Sequence, residues 1–172
     1  MNAPAAFPRH GAAVAPHVNT RSLICGTMVS TDLDRVRNML ENAFGLQCVR
    51  AAPDLLIARD RAFGAGGAKR GQPFWVLEVR QKDEVPVEQE MLNHWGMAAP
   101  SEAAVDEAYA KLKDHKDAYG LARVQKPRFR NGSYAMYFTD QDSNWWELEY
   151  RAPELSYDVL RAKGDLFADA GA

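Results

Sequence analysis

Residues 140–150 read DQDSNWWELEY. The first five, Asp140 to Asn144, are short polar residues of the kind that build turns, because their side chains bond neighbouring backbone groups. The six that follow are dominated by aromatic residues suited to a strand. The stretch therefore predicts a turn running into a strand. Side chains alternate along a strand, so Trp145, Glu147 and Glu149 share one face. A carboxylate taken into a dry interior without a partner is costly. Two acids aligned with a tryptophan predict a face turned to a functional cavity rather than to core.

The chain around this stretch has 172 residues, enough for one domain or for two small modules sharing a core. Hydrophobic residues make up 47% and charged residues 26%, the balance of a globular chain. The net charge is -2, with no long block of one sign, so there is no electrostatic case for nucleic acid or for an anionic membrane. No apolar run approaches the roughly 20 residues of a membrane-spanning helix. Residues 1–20, MNAPAAFPRHGAAVAPHVNT, are rich in Ala and Pro and lack a basic start followed by an apolar stretch. They predict a flexible arm that orders against a partner subunit, not a secretion signal. Cys25 and Cys48 form neither a CxxC pair nor a disulfide framework, which makes a reducing cytoplasm the default location.

Working outward, the segments fall into two similar series. RSLICGTMV predicts a strand, and Asp32 suits a helix N-cap. Leu33, Val36, Leu40, Ala43 and Phe44 follow at helical spacing, closed by Gly45. LQCVRA, DLLIARD and FWVLEVR predict three further strands. In the second series NHWGMAA predicts a strand and Ser101 an N-cap. Val105, Ala108, Tyr109 and Leu112 form a helical stripe. VQKPRFRN predicts an edge strand, since Pro127 removes a ladder donor. SYAMYFT and WWELEYR complete the set. The expected organisation is an arm (1–20), a first βαβββ module (21–80), a polar linker (81–92), a second βαβββ module (93–151), and a C-terminal helix and tail (152–172).

An offset of 69 positions carries Asp32 to Ser101, Cys25 to His94 and Glu78 to Glu147. A constant offset across several landmarks is the mark of an internal repeat. Two such modules with curved sheets can enclose one concave space. Glu78 and Glu147 would point into it from equivalent strands, as would Cys25 and His94. Arg80 and Glu149 are related by the same offset.

With these residues in place the chain resembles the vicinal oxygen chelate superfamily, which includes glyoxalase I, methylmalonyl-CoA epimerase, fosfomycin- and bleomycin-resistance proteins and extradiol dioxygenases. The family's closing motif, similar to D-P-D-G-N-x-x-E-L, stands here as Asp140-Gln141-Asp142-Ser143-Asn144-Trp145-Trp146-Glu147-Leu148. The helix entry STDLDRVRNMLENAFGL is similar to the family's V-x-D-L-x-x-x-x-x-F-Y-x-x-x-L-G-L. The resemblance covers residues 21 to 151. It implies an α+β fold of two βαβββ modules forming a cupped sheet.

The resemblance also implies a site. Glu147 matches the closing-strand carboxylate ligand, His94 the histidine opening the second module, and Glu78 the extra carboxylate of glyoxalase-like members. Cys25 stands where the family usually has His or Gln. These four would hold a divalent ion, whether Fe, Zn, Mn or Ni; a Cys25 thiolate would favour zinc. Glu78 and Glu147 would shuttle a proton in a lyase or isomerase reaction on a small oxygenated substrate, passing through an enediolate. Each has a plainer reading: Glu147 and Glu78 as ion-paired acids, His94 as a hydrogen-bonded core histidine, Cys25 as a small buried side chain. Arg80 would hold a substrate carboxylate or else be satisfied by Glu149 or solvent. Trp145, Phe74 and Tyr137 would line an apolar wall suited to an aromatic ligand, although aromatic residues are more often core.

Two other functions fit the same outline. Extradiol ring cleavage needs two His and one carboxylate, and Arg130 and Asn131 stand where a further histidine would be. A metal-free protein that binds a drug or metabolite would use the aromatic groove alone, and Cys25 favours that reading. Relatives commonly pair two chains, which implies a homodimer. GAGGAKRG lacks GK followed by Ser or Thr and reads as a turn, not a phosphate loop.

Overall fold

The repeat expected from the offset is present in the strand ladders. The computed structural model describes residues 25–60, 76–87, 89–130, 132–156, 159, 162 and 163. In the first module β1 (Cys25–Ser30) lies parallel to β4 (Val76–Gln81), and in the second β5 (His94–Ala98) lies parallel to β9 (Trp145–Tyr150). Cys25 stands opposite Val76 and Thr27 opposite Glu78. His94 stands opposite Trp145 and Gly96 opposite Glu147. The offset of 69 maps every member of the first set onto the second.

Between these outer strands the repeat is looser. β2 (Gln47–Ala52) and β3 (Leu55–Arg59) complete one sheet in the order β1-β4-β3-β2. β6 (Leu121–Val124), β7 (Arg128–Arg130) and β8 (Ser133–Asp140) complete the other in the order β5-β9-β8-β6, with β7 also paired to β8. Ile57 faces Glu78 from 21 positions away, whereas Tyr137 faces Glu147 from 10. The first module spends the difference on its glycine-rich connection, the second on the stretch between its helix and β8. The two differences cancel, which is why the offset survives at β9. The fold is mixed α+β, as expected.

Capping starts both helices. Asp32 Oδ1 accepts from the backbone N–H of Asp34 and Arg35, both at 3.0 Å, and opens α1 (Leu33–Asn38). Ser101 Oγ accepts from Ala104 N–H at 3.1 Å and opens α2 (Glu102–Asp114). The apolar spacing predicts one continuous helix to Phe44. Instead Met39–Ala43 forms a π-helical turn, a change of hydrogen-bond register that side-chain spacing does not report. The expected edge strand VQKPRFRN is two short strands, β6 and β7, on either side of Pro127, which has no N–H to give the ladder. Residues 21–24, Phe74, Trp75 and the glycine-rich turn lie outside the described residues, as does most of the expected C-terminal helix, of which the 3-10 turn Pro153–Leu155 is described.

One core serves both modules within the body Ser22–Arg151. Met28, Leu33, Val36, Leu40, Leu56 and Val79 of the first cluster with Val105, Leu112, Met136, Phe138 and Trp146 of the second. Phe44 stacks on Phe138 at 5.3 Å and on Trp146 at 6.4 Å. Burying each large side chain of this kind stabilises the fold by about 1.5–3 kcal/mol. Trp146 belongs to this core, while Trp145, one residue earlier, is on the opposite face of β9.

The DQDSN turn ties the modules together. Asp142 accepts from Ser30 Oγ and Thr31 Oγ1, both at 2.6 Å, from Thr31 N–H at 3.2 Å and from Arg35 Nη2 at 3.0 Å. Asn144 Nδ2 donates to Val29 O at 3.1 Å and to Asp140 Oδ2 at 2.9 Å. Burial alone would raise the pKa of Asp142. The hydrogen bonds from Ser30, Thr31 and Arg35 outweigh it and hold the group below its ordinary value. Buried Asp140 is pushed the other way, against the hydrogen bonds from Asn144 and Trp146.

Candidate functional site

The outward face of the second sheet carries the site. Glu147 is the third residue of β9, with Tyr137 of β8 directly opposite on one side and Gly96 of β5 on the other. The Tyr137 hydroxyl donates to Glu147 Oε1 at 2.5 Å. His94 Nε2 lies 2.8 Å from Glu147 Oε2. Gly96 leaves this arrangement room: a Cβ there would meet nothing nearer than Glu147 Oε2 at 4.0 Å. The His94 ring stands edge-on to Tyr137, with centroids 5.4 Å apart. Glu147 is only 7% exposed, so its charge is compensated by these neighbours and not by bulk water.

The far side of the imidazole decides what the near side can do. His94 Nδ1 lies 2.7 Å from the carbonyl oxygen of Met91. A carbonyl only accepts, so Nδ1 carries the proton. In the neutral ring Nε2 is then a lone pair aimed at a carboxylate oxygen. Two acceptors 2.8 Å apart are reconciled either by a proton shared between them or by a cation that binds both from the side. A backbone carbonyl fixing the tautomer of a histidine, with the other nitrogen facing a carboxylate, is the outer support that metal-binding histidines use. An imidazole and a carboxylate side by side are donors of the kind a divalent ion takes, so His94 and Glu147 fit one as two of the ligands it needs. Burial, then the hydrogen bond and charge of Glu147, raise the pKa of Tyr137, while the charge of Arg130 works against them. Tyr137 is thus a hydrogen-bond donor to Glu147 throughout the physiological range.

The other expected residues are placed differently. Glu78 is on the outward face of the first sheet, 3.1 Å from Arg80 Nη2 on the same strand. Arg80 is paired with Glu78, not with Glu149, whose Oε1 lies 3.1 Å from Arg151 Nε. Cys25 is exposed on β1, not buried as its plainer reading has it. Within one chain the proposed ligands do not all meet: among the described residues, no three His, Cys, Asp or Glu side chains are gathered closely enough to hold an ion. The reason lies in the packing. The two modules join through their helix-side faces, so the outward faces bearing Glu78 and Glu147 lie away from the shared core. Trp145 is half-buried beside the site, opposite His94 and Thr139. Phe74 lies outside the described residues.

The sequence had no means of indicating Met91, which acts through its backbone carbonyl. Nor did it point to the cleft of about 900 Å³ on the opposite face, lined by residues including Phe44, Leu77, Trp95, Trp146 and Leu148. The acids do not border that cleft.

A sheet of this order, repeated once and carrying His and Glu on the first and last strands in sequence of its second copy, defines the glyoxalase class of fold. The model of the Glyoxalase/Bleomycin resistance protein/Dioxygenase superfamily matches residues 17–148, and the chain belongs to that superfamily. Among solved structures it is similar to a possible glyoxalase from Bacillus cereus, with 21% identity, a TM-score of 0.57, and coverage of 76% of this chain and 99% of that one. It is similar to the fosfomycin resistance protein FosX from Listeria monocytogenes, with 22% identity, a TM-score of 0.54, and coverage of 80% and 97%. Lactoylglutathione lyase from Agrobacterium tumefaciens shows 18% identity, a TM-score of 0.52, and coverage of 76% and 94%. Likeness at these identities establishes the fold alone. No curated protein matches the chain. No helix among the described residues is long and apolar enough to cross a membrane.

Proposed function

We propose that the chain is a divalent-metal-dependent lyase or isomerase acting on a small oxygenated substrate, with His94 and Glu147 as its resident metal donors. One observation carries this reading: His94 Nδ1 is bonded to the Met91 carbonyl, so that Nε2 faces Glu147 Oε2 at 2.8 Å. The bound ion would act as a Lewis acid toward a substrate carbonyl. Tyr137 orients Glu147 by donating to Oε1, leaving Oε2 for the ion or for a substrate proton. Trp145 screens the pair from water on one side. A FosX crystal structure from Listeria monocytogenes contains Mn(II) and 1S,2S-dihydroxypropylphosphonic acid, which makes Mn(II) a reasonable first ion to try.

A homodimer completes the reading. Glu78 and Cys25 occupy, on the first sheet, the positions that Glu147 and His94 occupy on the second. The first sheet's face is open, with Thr27 and Cys25 exposed. A second chain laid across the site would bring its Glu78 within reach of the ion as a ligand or proton acceptor, once released from Arg80. Both cysteines are free thiols, in keeping with a reducing cytoplasm. Elemental analysis of the purified protein, with sedimentation of the same sample, tests the proposal. Stoichiometric metal in a dimer supports it. A protein that neither contains nor tightly binds Fe, Zn, Mn or Ni overturns it.

The apolar cleft favours a second reading, a metal-free binding protein for a drug or metabolite, with Trp95 and Trp146 as its aromatic surfaces. Ligand affinity unaffected by Glu147→Gln and reduced by Trp95→Ala would support it. Ligand affinity that instead falls with Glu147→Gln would count against it. Extradiol chemistry ranks below both, because it needs a second histidine beside His94 and Glu147.

A further inference from the structure

The site face of the second sheet continues past Tyr137 to β7. Residues directly opposed on antiparallel strands share a face. Arg128 stands opposite Ala135 and Arg130 opposite Ser133, so both arginines leave the sheet on the side of Ala135 and Tyr137. Phe129, between them, leaves on the other side and packs on Tyr134 with centroids 4.9 Å apart. Across the strands one face therefore presents the imidazole of β5, the carboxylates Glu147 and Glu149 of β9, the phenol of β8 and two guanidinium groups on β7; Glu149, opposite Ala135, is buried and ion-paired with Arg151. Two strand spacings, about 10 Å, separate β7 from β9.

Arg128 and Arg130 are both exposed, and no carboxylate among the described residues is ion-paired with either. The strand that carries them is fixed by Pro127 before it and by the turn at Gly132, whose φ is 82°, after it. The charge of Arg130 already acts on the Tyr137 hydroxyl. Arginine matches oxyanions through its planar fork of donors. Arginines on a short edge strand can also serve only to keep the edge from pairing with another chain. The two roles differ in whether a ligand senses the charge.

We propose that Arg128 and Arg130 form an oxyanion subsite, and that the ligand of this protein is an acid. Its carboxylate, phosphate or phosphonate lies toward β7, while its oxygen pair engages the His94–Glu147 end. The second half of this statement rests on the metal reading above; the first half does not.

Calorimetry with four probes tests it. Glycerate offers vicinal oxygens without a distal charge. Malate adds a distal carboxylate and 3-phosphoglycerate a distal phosphate. Inorganic phosphate is titrated into the metal-free protein. The Mn(II)-loaded protein should bind malate or 3-phosphoglycerate at least about tenfold more tightly than glycerate. The Arg128→Gln/Arg130→Gln double variant should abolish that advantage and leave glycerate affinity within about twofold of the parent. Which distal group gains more identifies the anion. Phosphate should bind the metal-free parent and not the double variant. If Mn(II) fails to bind while this phosphate difference persists, the metal reading falls and the subsite stands. If Mn(II) and glycerate bind but a distal charge adds nothing, or its advantage survives in the double variant, the subsite falls. Binding of no anion by the parent protein overturns it as well. Both residues are exposed, so an unchanged melting temperature confirms that the double variant is folded.

Discussion

Asp142 Oδ2 accepts a 2.6 Å hydrogen bond from Ser30 Oγ across 112 positions of the chain. With Thr31 and Arg35 as further donors, this one carboxylate ties the turn of the second module to the helix entry of the first. Asp142→Asn replaces one acceptor oxygen with an amide facing donors. It should cost about 2–4 kcal/mol at neutral pH. The folded-state pKa lies below the unfolded value of about 3.9, so this stabilisation is present above about pH 5 and is lost as the pH falls through the folded value. Asp140, whose pKa is raised, works in the opposite direction in both proteins. Denaturant titrations should therefore show a gap between parent and variant that is constant from pH 7 to about 5 and narrows toward pH 3. A gap independent of pH would show that the Asp142 charge is not what fastens the turn.

Tyr137→Phe leaves Glu147 Oε1 without its donor. The carboxylate is then oriented from the Oε2 side alone, and a divalent ion held by His94 and Glu147 should bind about 10–100-fold more weakly. The stability cost should be about 1–2 kcal/mol. Competition with a chromogenic chelator reads the first effect and thermal unfolding the second. A loss of stability with metal affinity unchanged would confine Tyr137 to a packing role. Glu147→Gln keeps an acceptor for Tyr137 but removes the charge, so it should lower metal affinity by more than Tyr137→Phe does.

How far this could be read in advance differs between fold and site. The outer strands were legible because their constraint is local: alternation places Glu147 on one face, and a constant offset places Glu78, Cys25 and His94 on equivalent strands. The ladders reproduce that register. The π-helical turn at Met39–Ala43 was not legible, since a single wider turn of i→i+5 bonds is too short to break the apolar pattern of the helix it ends. The largest difference concerns assembly. Equivalent positions in a repeat need not adjoin one another, and which faces of two modules meet is a matter of packing between distant residues. Phe44 against Phe138 and Trp146, and Asp142 against Ser30, bring the helix sides together. Glu78 is left on a separate outward face, paired with Arg80. The Met91 carbonyl that fixes the His94 tautomer leaves no trace in side-chain chemistry.

The two thiols should differ sharply in reactivity. Cys25 is exposed and Cys48 is buried. Burial, with the nearby charge of Glu41, pushes the Cys48 pKa up to about 11. The thiolate is the reactive form, so Cys48 should be inert at pH 8 on both counts. A chromogenic disulfide reagent should titrate one thiol in the native protein and both in denaturant. Rapid reaction of two native thiols would mean that the helix side of β2 opens readily. Bound metal that slows Cys25 labelling would place that thiol at the ion, as the dimer reading requires.

Gly120 leaves room for the Arg35 side chain that bonds Asp142. Its φ of 66° is one that other residues adopt only with strain. A Cβ there would come within 2.7 Å of Arg35 Cγ and 2.8 Å of Arg35 Cδ. These atoms are mid-chain, so they cannot move aside without shifting the guanidinium that sits 3.0 Å from Asp142. Gly120→Ala should therefore cost the backbone strain, about 1–2 kcal/mol, plus part of the Arg35–Asp142 interaction. For a chain of this length about 2–4 °C in Tm is lost per kcal/mol. The two contributions can be separated. In an Arg35→Ala background the clash is gone, and Gly120→Ala should then lose only the strain component. Equal losses in both backgrounds would show that Arg35 accommodates the methyl group without leaving Asp142.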